Sequence, residues 1–114
     1  VHEYFEVPKI NHLSPFMTFC FKVKEEKREK LIAIVHKDNT CRIQTVNEDN
    51  GLYYKLIRRF DGITGVPCIL NTSFNLKGEP IVENPQQAVE DFLKTEMDYL
   101  VIGKYLVPKS NRRE

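Results

Sequence analysis

Polar side chains cluster between two apolar stretches near the middle of the chain. The segment from Leu70 to Val82 reads LNTSFNLKGEPIV, and its amide and hydroxyl side chains belong to Asn71, Thr72, Ser73 and Asn75. Amides and hydroxyls can donate hydrogen bonds to phosphate or carboxylate oxygens, and the glycine in the segment lets the backbone turn sharply or approach a ligand. The same residue types also satisfy the backbone of an ordinary tight turn. The segment alone therefore leaves an anion-binding loop and a structural turn both open.

Two further candidates, Arg42 and His36, stand earlier in the chain. A guanidinium offers forked donors that suit phosphate oxygens, although an arginine on a strand is also commonly a solvated or ion-paired surface residue. His36 could act as an acid, a base or a phosphate donor, but a strand-end histidine that bonds to its turn is favoured. Ser73 lacks a G-x-S-x-G elbow and is interpreted as a binding hydroxyl. No histidine has an H-x-x-x-H partner or a carboxylate cluster, so the sequence predicts no metal site.

The elements that must position these residues follow from hydrophobic periodicity and turn chemistry. Pro15 to Val23 is rich in aromatic and β-branched residues and is predicted to be a strand. Leu31 to Val35 and Cys41 to Val46 are predicted to pair as an antiparallel hairpin around an Asp-Asn turn that tolerates a positive φ. Alternation on the second arm places Arg42 and Gln44 together on a polar face.

The second half of the chain alternates between helical and strand patterns. A helix is predicted from Leu52 to Thr64, followed by a buried central strand from Val66 to Leu70. Asn84 is expected to cap a second helix that ends near Thr95, and Tyr99 to Ile102 is predicted to be a closing strand. This order predicts an α/β layer arrangement with right-handed crossovers. The polar segment would then lie at the carboxyl edge of the sheet, where open α/β sheets bind ligands.

Composition limits the class of protein. The chain has 114 residues, enough for one compact domain, and 17 Lys and Arg against 16 Asp and Glu, so no general polyanion-binding surface is expected. Cys20, Cys41 and Cys68 form no C-x-x-C element, which disfavours a disulfide framework or a zinc knuckle. No stretch has the length of a membrane span and no signal peptide is recognised, so we expect a soluble, cytoplasmic protein that does not contact membranes.

Four linked motifs stand in order along the chain, namely SPFM at Ser14 to Met17, IVHKDNTCRIQTV at Ile34 to Val46, TGVPCILNTSFNLKGEPIV at Thr64 to Val82 and DYLVIGKYLV at Asp98 to Val107. This set resembles the carboxy-terminal region of O-carbamoyltransferases of the nodulation and antibiotic-tailoring type. The resemblance implies a YrdC-like open twisted mixed sheet with flanking helices, here a partial domain with a β-hairpin followed by β-α-β-α-β. It also implies binding of ATP, with Mg²⁺, and of carbamoyl phosphate, which such enzymes join into carbamoyl adenylate.

The resemblance also implies roles for particular residues. Ser73 and Asn75 are similar to an S-x-N pair that contacts nucleotide and phosphate, and Arg42 is similar to the arginine of an H-x-D-G-x-x-R stretch. Asn39 stands where that stretch usually has its turn glycine. A fixed arginine would stabilise the charge that develops as pyrophosphate leaves, which makes Arg42 the expected catalytic residue. The expected substrate-binding residues are His36, Arg42, Asn71, Thr72, Ser73 and Asn75.

The domain boundaries and the partners are also expectations. The family's long amino-terminal region holds metal-binding histidines and transfers the carbamoyl group to a hydroxyl acceptor. That region and its metal, like the family's G-P-R-A-L-G-N-R-S stretch, are expected to have no counterpart here. We therefore expect a fragment, with a linker or remnant at 1–14, the carbamoyltransferase C-terminal domain at 15–107 and a polar tail at 108–114. A non-catalytic nucleotide-binding or regulatory module remains an alternative. A nucleic-acid-binding module is disfavoured because no basic stripe alternates with aromatic residues.

Overall fold

The structure, a computed structural model, describes residues 1–8 and 13–109, and its chain divides into two compact units. The first unit comprises Val1–Leu70, and the second begins at Asn71. Each unit has its own antiparallel sheet and its own cluster of buried apolar side chains. The protein is therefore mixed α and β, and each candidate site residue is described within its own unit.

A three-stranded antiparallel sheet forms the centre of the first unit. Its strands are β1 (Phe5–Glu6), β2 (Cys20–Val23) and β3 (Thr40–Arg42), in the spatial order β1-β2-β3. Two short 3-10 helices, Glu25–Lys27 and Glu29–Leu31, lie between β2 and β3, and a third, Glu48–Asn50, precedes α1 (Leu52–Thr64). In the sheet, Phe21 pairs with Cys41 and both are buried. Strand alternation thus directs one face of β2 and β3 toward the core.

The amino-terminal residues contribute to this core. Tyr4 and Phe5 are buried together with Phe21, Val23, Leu31, Cys41 and Ile43. The Tyr4 hydroxyl donates a hydrogen bond of 3.2 Å to the carbonyl of Gly65, just after α1. The sequence predicts a linker or remnant at 1–14, whereas in the structure residues 4–6 belong to the sheet and core of the first unit. Residues 9–12 of that segment lie outside the described residues.

The predicted hairpin between Leu31 to Val35 and Cys41 to Val46 does not form. Leu31 ends a 3-10 helix and the chain continues through turns to Val35, so Leu31 to Val35 is not a strand. Instead β3 pairs with β2, which is shorter than the predicted strand from Pro15 to Val23. Leu31 is buried while Ile32 is 77% exposed and Ile34 is half-buried, a spacing of about three that suits turns and helices better than the two-residue period of a strand.

Helix α1 has the predicted bounds and ends as the sequence indicates. Gly65 adopts the left-handed conformation with φ 69, and its N–H donates to the carbonyl of Asp61. The next segment, Val66 to Leu70, is not a strand, although Val66 and Cys68 pack against the core of the first unit. The predicted β-α-β-α-β order with right-handed crossovers is therefore wrong, because both sheets among the described residues are antiparallel. The YrdC-like fold stays a prediction.

The second unit contains a helix and a hairpin. Its elements are α2 (Pro85–Lys94), β4 (Tyr99–Ile102) and β5 (Tyr105–Pro108). Asn84 caps α2 as predicted, since its side-chain oxygen accepts a 2.9 Å hydrogen bond from the N–H of Gln87. Ala88, Phe92 and Leu100 form the core.

Strand β5 was not predicted from the sequence. The sequence predicts a closing strand that ends at Ile102 and a polar tail that begins at 108, but Tyr105–Pro108 pairs with Tyr99–Ile102 across a two-residue turn. Gly103 supplies the positive φ of 57 that such a turn requires. Residues 110–114 of the predicted tail lie outside the described residues. Within residues 1–8 and 13–109, neither helix has the length and apolar character needed to cross a bilayer.

Candidate functional site

Arg42 lies at the end of β3, on the side of the strand that faces away from the core. Cys41 and Ile43 on either side of it are 2% and 8% exposed, whereas Arg42 and Gln44 are exposed. The predicted alternation is thus confirmed. Backbone pairing with Cys20 fixes the Arg42 main chain, and among the described residues no carboxylate lies within ion-pairing distance of its guanidinium. The forked donors of Arg42 are therefore available to an anion.

The turn before β3 is held by its own side chains. The N–H of His36 donates to the carbonyl of Thr40 at 2.7 Å, and Asn39 between them adopts φ 64, the positive value that the sequence predicted for this turn. Asn39 Nδ2 also donates to the Val23 carbonyl at 3.0 Å, while its buried Oδ1 has no hydrogen-bond partner among the described residues. The turn is thereby attached to β2, and Arg42 follows it directly.

Asp38 and His36 complete the same turn. Asp38 Oδ1 accepts hydrogen bonds from the Thr40 hydroxyl at 2.7 Å and the Thr40 N–H at 3.1 Å. The hydroxyl contact, and then the backbone contact, hold the pKa of Asp38 below its ordinary value. His36 Nδ1 lies 3.3 Å from the Thr40 hydroxyl oxygen. This contact to the turn matches the structural role favoured by the sequence.

The residues that follow Arg42 are tied to Ser14 of the SPFM motif. The buried Ser14 hydroxyl donates to the Ile43 carbonyl at 3.1 Å. The Ser14 N–H donates to the Thr45 hydroxyl oxygen at 2.9 Å, and the Thr45 N–H donates back to the Ser14 carbonyl at 2.9 Å. Two of the four sequence motifs are therefore adjacent in the first unit. Sequence reasoning missed Ser14 as a positioning residue, and its only signal was membership of that motif.

The polar loop, residues 71–82, opens the second unit. Asn71, Thr72 and Ser73 are exposed, and Phe74 packs against the core of that unit. A hydrogen bond of 2.9 Å from the N–H of Val82 to the carbonyl of Phe74 closes the loop. Gly78 within it has φ 89, a conformation that L side chains rarely adopt. The loop is thus anchored at both ends by apolar packing and by its backbone.

Asn75 stabilises the loop from within. Its Nδ2 donates to the Glu79 carbonyl at 3.0 Å and to the Leu76 carbonyl at 3.3 Å, and the Glu79 N–H also donates to Leu76 at 3.0 Å. The two amide protons of Asn75 are therefore turned toward the loop backbone, and its Oδ1 is the atom left for other contacts. The hydroxyl side chains on the exposed part of the loop, at Thr72 and Ser73, remain the candidate donors to an anion.

The predicted site residues are divided between the two units. His36 and Arg42 belong to the first unit, and Asn71, Thr72, Ser73 and Asn75 belong to the second. The expectation that all six bind substrate stays a prediction. Within the described ranges 1–8 and 13–109, no three His, Cys, Asp or Glu side chains are grouped so that they could hold a metal ion.

Comparison with known proteins places these observations in a family context. Residues 1–109 match the family model described as Carbamoyltransferase C-terminus. Nodulation protein NolNO from Sinorhizobium fredii is 47% identical over 95% of this chain and 16% of its own length. Nodulation protein NolO from Bradyrhizobium diazoefficiens is 44% identical over 94% of this chain and 20% of its own length. An uncharacterized protein from Methanocaldococcus jannaschii is 48% identical over 84% of this chain and 19% of its own length. The chain thus spans a fifth or less of these relatives.

Proposed function

We propose that this chain, which belongs to the Carbamoyltransferase C-terminus family, binds ATP and carbamoyl phosphate in an O-carbamoyltransferase and takes part in forming carbamoyl adenylate. The observation that carries the proposal is the 44 to 47% identity to NolO and NolNO over nearly the whole chain. In this proposal a preceding domain of the same polypeptide transfers the carbamoyl group to a hydroxyl acceptor and releases AMP.

The bonds that form and break in this reaction determine which charge the site must stabilise. Water releases phosphate from carbamoyl phosphate and leaves carbamate. A carbamate oxygen then bonds to the α-phosphorus of ATP, the bond from that phosphorus to the bridging oxygen breaks, and pyrophosphate leaves with the electron pair. Negative charge grows on the leaving pyrophosphate, so donors fixed in advance around it lower the barrier. Mg²⁺ would arrive with ATP, bound mainly by phosphate oxygens.

Arg42 is suited to stabilise the negative charge that grows on the leaving pyrophosphate. Its guanidinium is exposed and has no acidic partner among the described residues, so pairing with a phosphate breaks no existing ion pair. Its main chain is fixed by β-pairing on one side and by the Ser14 contacts to Ile43 and Thr45 on the other. A planar fork on a fixed strand end can bind two phosphate oxygens at once.

The polar loop is suited to neutral contacts. Thr72 and Ser73 present hydroxyls on the exposed part of a loop whose shape Asn75 maintains. Hydroxyl and amide groups can bind phosphate oxygens without the desolvation cost of a buried charge. In this proposal Arg42 takes the charge that develops, and the hydroxyls orient the nucleotide.

Carbamoyl-phosphate-dependent exchange of labelled pyrophosphate into ATP tests the proposal. The polypeptide that contains this chain with its preceding carbamoyltransferase region should catalyse the exchange, and omission of carbamoyl phosphate should abolish it. The isolated chain should fold but give no carbamoylation of an added alcohol above the rate without protein. Tight ATP binding by the complete polypeptide without exchange would instead favour the non-catalytic nucleotide-binding module.

A further inference from the structure

The SPFM motif forms a loop whose aromatic tip has no part in the function proposed above. Ser14 at its start is 2% exposed, whereas Phe16 two residues later is 85% exposed. Among the large apolar residues that the structure describes, Phe16 has the highest exposed fraction. The face of the Phe16 ring is therefore accessible to a partner that stacks on it.

The start of the loop is anchored by hydrogen bonds. Three hydrogen bonds, two of 2.9 Å and one of 3.1 Å, join Ser14 to Ile43 and Thr45. Met17, directly after Phe16, has φ 55, which is uncommon for a residue other than glycine. Such a backbone persists only where the surroundings hold it, and it often occurs at sites of ligand contact. Phe16 is thus presented by an anchored loop.

The anchor places the loop beside Arg42. Ser14 contacts Ile43, which is the next residue after Arg42. A chain advances by about 3.3 Å per residue when extended, so the Cα atoms of Phe16 and Ser14 are at most about 7 Å apart. The backbone of Phe16 therefore lies near the strand end that carries Arg42.

We propose that Phe16 is a stacking platform for the adenine base of ATP, while Arg42 contacts the phosphates. This inference rests on the proposed function, because it assigns the base of the same nucleotide. A phenylalanine ring offers a face for stacking but no hydrogen-bonding group, so it holds a base without reading its edge. ATP and GTP should therefore depend on Phe16 to the same extent.

Binding measurements with two ligands distinguish contacts to the base from contacts to the phosphates. ATP and inorganic tripolyphosphate would each be titrated into the complete carbamoyltransferase that contains this chain, as wild type and as the variants Phe16→Ala, Phe16→Trp and Arg42→Ala. Phe16→Ala should weaken ATP binding by roughly 5- to 150-fold and leave tripolyphosphate binding unchanged. Phe16→Trp should retain ATP binding, and Arg42→Ala should weaken the binding of both ligands.

A control variant in the second unit tests whether the effect on ATP binding is specific to Phe16. Tyr105 in the second unit is also an exposed aromatic residue, at 63%, and Tyr105→Ala should change neither affinity. Unchanged ATP affinity in Phe16→Ala would overturn the stacking role while leaving the proposed function standing. Equal losses for ATP and tripolyphosphate, or a loss that follows a lowered melting temperature, would make Phe16 a contact to another part of the protein. A wild-type enzyme that binds no ATP would overturn both proposals.

Discussion

The side-chain amide of Asn75 donates a hydrogen bond of 3.0 Å to the carbonyl of Glu79 and thereby spans the polar loop from the inside. Asn75 thus does what the structural interpretation of this segment expects of an amide in a tight turn. Thr72 and Ser73, three and two residues earlier, are exposed and have the placement that the ligand-binding interpretation requires. The two interpretations therefore apply to different residues of one segment.

Substitution of Asn75 should loosen the loop. Asn75→Ala removes contacts to Glu79 and Leu76, and a hydrogen bond is worth about 1 kcal/mol, so local opening should become roughly fivefold more frequent. Hydrogen exchange of the Glu79 and Val82 amides should accelerate accordingly, because both are bonded within the loop. Ser73→Ala is the matched control and should lower ATP affinity without changing these exchange rates. Unchanged exchange in Asn75→Ala would contradict the role of Asn75.

Much of the local structure could be predicted from the sequence because its signals are local. The 3.6-residue period of Leu52 to Thr64 and the glycine after it fix α1. The Asn-Pro pair at 84 and 85 fixes the start of α2. Alternation around Arg42 correctly places that side chain on the exposed face.

The structural predictions were wrong where strand pairing depends on residues that are distant in the sequence. The pattern of Cys41 to Val46 identifies a strand but not its neighbour, and β2 competes successfully with Leu31 to Val35. The apolar run Val66 to Leu70 has strand-like residues but gains no ladder partner among the described residues. The contacts of Ser14 to Ile43 and Thr45 have no local signal, because they join residues 29 and 31 positions apart.

Lys109 should stabilise the second unit by capping α2. Its ammonium donates to the carbonyls of Phe92 and Thr95, each at 2.5 Å, and of Leu93 at 3.0 Å, near the end of that helix. A cation at a helix carboxyl terminus satisfies free carbonyls and interacts favourably with the helix dipole. Lys109→Met should therefore lower the free energy of unfolding by about 2 kcal/mol in urea denaturation.

Lys104 provides the matched control for that change. It is exposed and lies over the ring of Tyr105, and within residues 1–8 and 13–109 it makes no hydrogen bond to a helix end. Lys104→Met should change the free energy of unfolding by less than about 0.5 kcal/mol. Similar losses in the two variants would show that the effect of Lys109 is general surface charge and not capping.

Stability should decrease at alkaline pH because of Cys41. Burial raises the pKa of its thiol from 9.0 to about 11, with smaller contributions from the other two cysteines. Since the unfolded state loses this proton at lower pH than the folded state, the unfolded state binds fewer protons between about pH 9 and pH 11. The free energy of unfolding should therefore fall as pH rises through this window and level off above it.

Urea denaturation at a series of pH values measures this dependence. Cys41→Ala should reduce the alkaline slope, whereas Cys20→Ala should preserve it because Cys20 is exposed. Burial also raises the pKa of Tyr4 and of Cys68, so part of the slope should remain in Cys41→Ala. An equal slope in wild type and Cys41→Ala would contradict the assignment to Cys41.

Substitution of Arg42 tests most directly its proposed role in forming carbamoyl adenylate. Its guanidinium is exposed at the end of β3, and its loss should remove a charge-assisted contact worth about 2 to 4 kcal/mol in the transition state. In the complete enzyme, Arg42→Ala should slow carbamoyl-phosphate-dependent pyrophosphate exchange by roughly 30- to 1000-fold. Arg59→Ala, which removes another exposed arginine, in α1, should leave the exchange rate unchanged.

Arg42→Lys distinguishes a bidentate contact from a general effect of positive charge. Lysine keeps the charge but lacks the planar fork, so a bidentate role predicts that exchange recovers only in part, whereas a long-range electrostatic role predicts nearly full recovery. The melting temperature should barely change in either Arg42 variant, because an exposed arginine contributes little to the core. Exchange at the wild-type rate in Arg42→Ala, or a loss of rate that parallels a lowered melting temperature, would make Arg42 a structural residue.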